Sequence, residues 1–184
     1  MKTKKNNLIS AIVIVVIALI AAGYLFIQNA NRPTISIDGV EFQLKDCASV
    51  LTDAGFKITG GETMEAKTWN YMYILEKDGV QYAYLTLYNS SNSEKPLSEC
   101  YIGEVETHNN IVFEGGYDKV KLNGHAMVGM TMAEAEENFG IKDDGDSAMR
   151  VKLGSDSLLL SYYDRDADCF GSAALKCDFG QSYE

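Results

Sequence analysis

The segment of residues 68–88, TWNYMYILEKDGVQYAYLTLY, constrains the fold more than any other part of the chain. Aromatic and aliphatic residues alternate on both sides of Asp78-Gly79, a dipeptide typical of the two-residue turns of β-hairpins. With the turn at this dipeptide, Trp69 lies opposite Tyr88 and Tyr73 lies opposite Tyr84. Because successive side chains of a strand point to opposite faces, one face of the hairpin is predicted to carry Trp69, Tyr71, Tyr73, Tyr82, Tyr84 and Tyr88.

The other face of this hairpin is aliphatic, and we expect it to cover an amphipathic helix. The aromatic face is then predicted to point outward. Tyrosine and tryptophan offer large contact areas at low entropic cost and are enriched in binding hot spots, so the six aromatic residues are predicted to bind a partner. The alternative interpretation is that this face packs against the rest of the protein.

A second hairpin is predicted in residues 148–163, AMRVKLGSDSLLLSYY, with its turn near Ser155-Asp156. Alternation places Arg150 and Lys152 on the outward face, and aliphatic residues on the inward face. We therefore predict that these two cations form a small basic patch beside the aromatic face. Ordinary solvated surface charge is the alternative.

Each hairpin follows a segment with helical spacing of apolar residues, over residues 42–56 and 128–141. Gly55 and Gly140 suit left-handed helix ends, and Thr131 with Glu134 suits a capping box. A third strand follows each hairpin. The predicted fold is α+β, with two tandem repeats of a helix followed by a three- to four-stranded antiparallel sheet, over residues 35–114 and 117–184.

The second helical segment begins Val128-Gly129-Met130-Thr131 and continues through Glu134 to Gly140. This opening resembles the helix opening of a superfamily that includes the beta-lactamase inhibitor protein and the small lipoprotein of the barrel-assembly machinery. The order of predicted elements is similar to the tandem repeat of the inhibitor protein. The resemblance implies an exported protein-binding scaffold without catalysis.

The N-terminal segment of residues 8–27 contains twenty consecutive residues without a charge. A helix of that length spans about 30 Å, the thickness of a bilayer core. With the basic tail of residues 1–7 before it and a polar linker of residues 28–34 after it, the segment is predicted to be a single-pass transmembrane anchor. The positive-inside rule places the N-terminus in the cytoplasm and the following domain on the extracytoplasmic side of the cell membrane. A cleavable signal peptide is the alternative.

The charge balance of the chain is acidic, with 26 Asp and Glu against 16 Lys and Arg and a formal net charge of -10. Such a chain is repelled by phosphate backbones, so we predict no nucleic-acid partner. The four cysteines, Cys47, Cys100, Cys169 and Cys177, fit two disulfides in any of three pairings, or free buried thiols.

Motifs for catalysis, cofactors and metals are incomplete in this sequence. Asp164-Arg165-Asp166-Ala167-Asp168 opens like a calcium loop, but the required glycine and closing glutamate are replaced. His108 and His125 both lie in predicted turns, without a nucleophile motif nearby. We therefore predict no catalytic, cofactor-binding or metal-binding residues. Asn89-Ser90-Ser91 matches a glycosylation sequon.

These observations lead to one functional hypothesis and two alternatives. The hypothesis is a membrane-anchored, non-enzymatic adaptor domain that binds a protein partner at the cell surface through the aromatic sheet face. The first alternative is a module that binds glycans or the cell wall by stacking sugars on the same aromatic residues. The second alternative is a hydrolase with an unrecognised site.

Overall fold

The computed structural model describes residues 14–17, 19–20 and 32–177, without the side chains of residues 111, 162 and 163. The chain divides into two compact units, Met1–Arg32 and Pro33–Glu184. In the first unit, residues 14–17 and 19–20 are helical and exposed. Among the described residues of the second unit, most of the regular structure is antiparallel β-sheet.

The predicted membrane anchor is not supported by the structure. Over the described ranges, no helix is long and apolar enough to cross a membrane. This finding overturns the predicted transmembrane helix over residues 8–27 and the single-pass membrane localisation that followed from it. The remaining residues of that range, the predicted tail of residues 1–7 and residues 28–31 of the predicted linker lie outside the described residues.

The second unit contains thirteen strands, two α-helices and three 3-10 helices within its described part. The helices are α1 (Ser49–Thr52) and α2 (Met132–Phe139), and the 3-10 helices are Leu97–Glu99, Ile111–Phe113 and Tyr117–Lys119. The strands are β1 (Ile35–Ile37), β2 (Val40–Phe42), β3 (Lys57–Thr59), β4 (Thr63–Met64), β5 (Trp69–Lys77), β6 (Val80–Tyr88), β7 (Lys95–Pro96), β8 (Tyr101–His108), β9 (Val120–Leu122), β10 (His125–Ala126), β11 (Ala148–Leu153), β12 (Asp156–Asp164) and β13 (Cys169–Cys177).

The principal sheet has seven strands in the order β11-β12-β13-β8-β6-β5-β3. A four-stranded sheet, β10-β9-β1-β2, and the two-stranded sheet β4-β7 complete the unit. The predicted tandem repeats are therefore wrong, since strands from both halves of the chain share each of the two larger sheets. The physical reason is the pairing of β8 with β13, which covers a sheet edge of each half with backbone hydrogen bonds.

The first predicted helix, over residues 42–56, is also wrong. Phe42 ends β2, Lys45 has a left-handed φ of 72°, and α1 has only four residues. Backbone N–H groups of this segment donate to carbonyls in and next to β8 instead of to carbonyls within a helix. Lys45 donates to the Ile102 carbonyl at 2.7 Å, and Ala48 donates to the Cys100 carbonyl at 2.8 Å. Tertiary pairing has overridden the helical spacing of apolar residues.

The second predicted helix is confirmed as α2. Thr131 accepts a hydrogen bond from the Glu134 N–H at 3.2 Å, and the Glu134 carboxylate accepts one from the Thr131 N–H at 2.8 Å. The Thr131 N–H and the Thr131 hydroxyl, which donates to the same carboxylate at 3.0 Å, lower the pKa of Glu134. Gly140 ends the helix with φ of 68°. The start and the end of this helix are both determined by local side-chain and backbone chemistry.

One hydrophobic core joins the two larger sheets. The principal sheet contributes residues such as Leu85 and Val105, and the four-stranded sheet contributes residues such as Ile35 and Leu122, all fully buried. Each such side chain contributes about 1.5–3 kcal/mol relative to an exposed one. The face of the principal sheet opposite Leu85 carries Tyr84, Thr86 and Tyr88, and the candidate site lies along that face and at its edge.

Candidate functional site

The register of the β5–β6 hairpin determines which aromatic residues reach the surface. The turn lies at Asp78-Gly79, with Lys77 paired with Val80 and Glu76 with Gln81. The next pair is Leu75 with Ala83, so Tyr82 is an extra residue in a β-bulge. A second bulge follows, because Tyr73 pairs with Leu85 and Asn70 pairs with Leu87, which leaves two residues, Tyr71 and Met72, opposite Thr86.

The two bulges reverse the predicted alternation, and the outward placement of Tyr73 and Tyr82 is therefore wrong. Both side chains are only 3% exposed and belong to the core. The Tyr73 hydroxyl accepts a hydrogen bond from the Asn70 side-chain amide at 2.9 Å, and the Tyr82 ring meets the Phe56 ring edge-on at 5.3 Å. A bulge shifts the side chains beyond it to the other face, and core burial of two large rings stabilises that shift.

Burial of Tyr82 affects its ionisation. Desolvation raises the pKa of Tyr82 above the ordinary value of 10.0, and the nearby Asp38 carboxylate raises it further. The unfolded chain would ionise this phenol first, so Tyr82 reduces the free energy of unfolding as the pH rises above about 10.

Tyr84 lies on the opposite face from the core but is covered by another part of the chain. Its ring meets the Phe113 ring edge-on at 4.8 Å, and Phe113 also stacks on the His108 imidazole at 6.0 Å. Phe113 is fully buried although it lies in a 3-10 helix of three residues. Tyr84 is therefore part of a closed aromatic contact at this end of the sheet.

Gly116 holds the β8–β9 connection against the hairpin. A Cβ atom at this position would lie 2.1 Å from the Gln81 carbonyl oxygen and 3.1 Å from the Tyr82 Cα. The connection thus crosses β6 at the first bulge, with room only for glycine. The same crossing keeps Phe113 over Tyr84.

The other end of the same face carries an aromatic row across three strands. Trp69 pairs with Tyr88, and Tyr88 pairs with Tyr101 of β8. The Trp69 and Tyr88 rings stack with centroids 4.8 Å apart, and Tyr101 is 40% exposed. Tyr101 was not among the predicted site residues, because its position depends on the pairing of β6 with β8, which has no local sequence signature.

Tyr71 and Met72, at the second bulge, are the most exposed large apolar side chains among the described residues of the second unit, at 58% and 64%. Met72 has φ of 62°, a left-handed conformation that non-glycine residues rarely adopt. β3 pairs with β5 only from Ile74 to Glu76, so its pairing stops short of the bulge. We define the aromatic patch as Trp69, Tyr71, Met72, Tyr88 and Tyr101.

Arg150 and Lys152 are both exposed, on a regular hairpin in which Arg150 pairs with Leu159 and Lys152 with Ser157. β12, β13 and β8 separate their strand from β6. At about 4.8 Å per strand, the two cations lie about 19 Å from β6. The structure therefore does not bring the predicted basic residues beside the aromatic patch.

A cleft of about 370 Å³ opens near the covered end of the sheet. His108 lies in it, with its Nε2 atom 2.9 Å from a Glu106 carboxylate oxygen. The predicted turn at His108 is wrong, because His108 is the last residue of β8. The residues that line the cleft are His108, Asn109, Asn110, Asp164, Ala167, Cys169 and Gly171.

The candidate metal and glycan motifs take structural roles in the fold. The Asp164 carboxylate accepts hydrogen bonds from the backbone of Asp166 at 2.9 Å and Ala167 at 3.2 Å, which closes the β12–β13 turn. No group of three or more His, Cys, Asp and Glu side chains in the described ranges is arranged to hold a metal ion. The Asn89 amide of the sequon is buried and donates to the carbonyls of Met64 and Ser93.

Comparison of the chain with protein-family models, with curated proteins and with solved structures finds no match.

Proposed function

We propose that this domain binds a partner protein through the aromatic patch. The observation that carries the proposal is the bulge at Tyr71 and Met72, where two adjacent large apolar side chains are more than half exposed. The left-handed backbone of Met72 costs about 1–2 kcal/mol. A conformation that costs stability and exposes apolar surface indicates a role in recognition.

The chemistry of the patch favours a protein partner over a glycan. One face of the Trp69 ring is occupied by the stacked Tyr88 ring, which limits its use as a platform for sugars. Met72 adds a flexible, polarisable side chain of the kind enriched at protein interfaces. Because the chain has a formal net charge of -10, we expect the partner surface to have an apolar centre and a cationic rim.

A photo-crosslinking amino acid at position 71 tests the proposal. The full chain with this substitution is expected to crosslink to a defined protein in an extract of the source cells, whereas the same probe at the distant Lys152 is expected not to. The identified partner is then purified, and its affinity for the unmodified chain is measured. A hot spot costs at least 2 kcal/mol, so Tyr71→Ala and Met72→Ala are each expected to raise Kd by roughly 30-fold or more.

The control variant for affinity is Lys152→Ala, which we expect to leave Kd within about twofold because surface charges outside an interface contribute little. Unchanged affinity of both patch variants would contradict the proposal. Competition by soluble oligosaccharides, with no loss of binding after proteolysis of the ligand, would identify the glycan alternative instead.

A further inference from the structure

The aromatic row continues beyond β8 onto a fourth segment of the chain. Trp69 pairs with Tyr88, and Tyr88 pairs with Tyr101. Tyr101 in turn forms an antiparallel bridge with Cys47, a partly exposed free thiol. Residues directly opposite each other on antiparallel segments place their side chains on the same face, so Cys47 extends the row. At about 4.8 Å per segment, the four side chains span about 14 Å across the strands.

The first two rings of the row stand upright on the sheet. The Trp69 and Tyr88 rings are nearly parallel, with 24° between their planes and 4.8 Å between their centroids. Because this separation equals the spacing of neighbouring strands, the rings stack along the sheet and turn their edges away from it. A ligand that fits such a ridge of ring edges needs apolar side chains at intervals along a line across the strands.

The direction of the row distinguishes between the two regular forms of a ligand backbone. An extended segment lying across the strands on this face would meet no strand edge, so its N–H and C=O groups would lose water without gaining partners. A helix satisfies these groups within itself. Apolar residues at i, i+3 or i+4, i+7 and i+10 or i+11 form one helix face and span about 15–17 Å, which matches the length of the row.

The charge at the end of the row favours a basic helix. Asp46, the neighbour of Cys47, is exposed, and its carboxylate accepts a hydrogen bond from the Gln43 N–H at 2.8 Å. Asp46 has no ion pair with any residue that the structure describes, so a lysine or arginine of a ligand can pair with it. The formal net charge of -10 also attracts a basic ligand over a longer range and raises its association rate.

We propose that the partner presents one amphipathic helix to this surface, lying across the strands with its apolar face on the row and basic residues at its margins. The inference rests on the proposed function, because it names the element of the partner that the aromatic patch binds. Tyr71 lies about 7 Å along β5 from Trp69, within the width of about 10 Å of a helix, so it contacts the side of the bound helix.

Two synthetic peptides of leucine and lysine, equal in composition and charge, test the inference on the full chain. In the first, of about 14 residues, the leucines recur with the helical period, and in the second they alternate with lysines as in a strand. Trp69 is the single tryptophan of the chain, so its fluorescence reports binding at the row. We expect saturable binding of the helical peptide in the micromolar range, and roughly tenfold weaker binding of the alternating peptide.

Substitutions at two equally exposed residues locate the binding site. Tyr101 and Val112 are both 40% exposed, but Val112 lies in the β8–β9 connection, at the covered end of the sheet. Tyr101→Ala is expected to raise the Kd of the helical peptide by roughly tenfold or more, and Tyr101→Phe by less than about twofold because the ring is retained. Val112→Ala is the control and is expected to leave Kd unchanged. Urea unfolding of each variant checks that it is folded.

Equal affinities of the two peptides would show that charge alone attracts them and would overturn the inference, as would tighter binding of the alternating peptide. Binding that Tyr101→Ala does not weaken, or no binding of either peptide, would also overturn it. The crosslink at position 71 tests the proposed function separately. A partner captured there through a loop or a strand would support the proposed function and reject the helix, whereas absence of that crosslink would reject the proposed function itself.

Discussion

The two long hairpins of the principal sheet have similar sequence patterns but different registers. In β11–β12 the pairing runs without interruption from Ala148 with Ser161 to Leu153 with Asp156. In β5–β6 two bulges interrupt the pairing. Alternation read from the sequence therefore gives the correct inward residues in β11–β12, such as Met149 and Leu160, but fails in β5–β6.

The difference shows that strand alternation can be followed only as far as the first bulge. Tyr71 and Tyr73 are two positions apart and would share a face in a regular strand. In the structure Tyr71 is 58% exposed and Tyr73 is 3% exposed. The bulged hairpin places two rings in the core and leaves exposed apolar surface at its edge, which is where the aromatic patch arises.

The largest expected effect comes from exchanging these two tyrosines separately for alanine. Tyr73→Ala removes a buried ring whose hydroxyl accepts a hydrogen bond from Asn70, and we expect it to lower the free energy of unfolding by about 3–5 kcal/mol. Tyr71→Ala removes an exposed ring and is expected to change the free energy by no more than about 0.5 kcal/mol. Urea unfolding of both variants provides the measurement, and equal losses would show that β5 is a regular strand.

A smaller effect is expected where the β8–β9 connection crosses the first bulge. In Gly116→Ala the new Cβ would meet the Gln81 carbonyl, 2.1 Å away, and neither backbone can move without disturbing the core beneath Tyr82. We expect a loss of about 3 kcal/mol in the free energy of unfolding, together with increased exposure of Phe113 to solvent. Urea unfolding and hydrogen exchange at residues 111–117 measure these two effects.

The matched control for this prediction is Gly61→Ala, where the nearest atom would lie at 3.6 Å, an ordinary van der Waals distance. We expect Gly61→Ala to be neutral or to raise the free energy of unfolding by about 0.4–1 kcal/mol, since alanine restricts the unfolded chain. Similar losses in both variants would mean that the connection does not press on β6.

Local chemistry explains which parts of this fold were predictable. The turn at Asp78-Gly79 and the caps of α2 at Thr131 and Gly140 involve residues close in sequence, and all three lie where the sequence placed them. Their positions depend on hydrogen bonds and backbone preferences within a few residues. The inward and outward faces of β11–β12 were also predictable from the sequence, because their pairing has no bulge.

Nonlocal pairing explains which parts were not predictable. The pairing of β8 with both β6 and β13 merges the two predicted repeats into one sheet and places Tyr101 beside Tyr88. The bulge at Met72 also lacks a local signal, because a left-handed position is usually marked by glycine rather than methionine. The sequence therefore predicted an aromatic surface on this hairpin, including Trp69, Tyr71 and Tyr88 of the aromatic patch. It did not predict Met72 or Tyr101 as members of the patch.

The smallest effects compare glycine substitutions in the two hairpins. Met72→Gly relieves the left-handed backbone at the bulge, so we expect the free energy of unfolding to rise by about 0.5–1 kcal/mol. Lys152→Gly, at an exposed position of the regular strand β11, is expected to lower it by about 0.5–1 kcal/mol because glycine weakens a strand. Urea unfolding with unchanged m-values measures both, and a loss in both variants would contradict a strained bulge. If Met72→Gly is more stable and also binds the proposed partner more weakly, the Met72 side chain is retained at a cost in stability, and the difference between the two hairpins is functional rather than incidental.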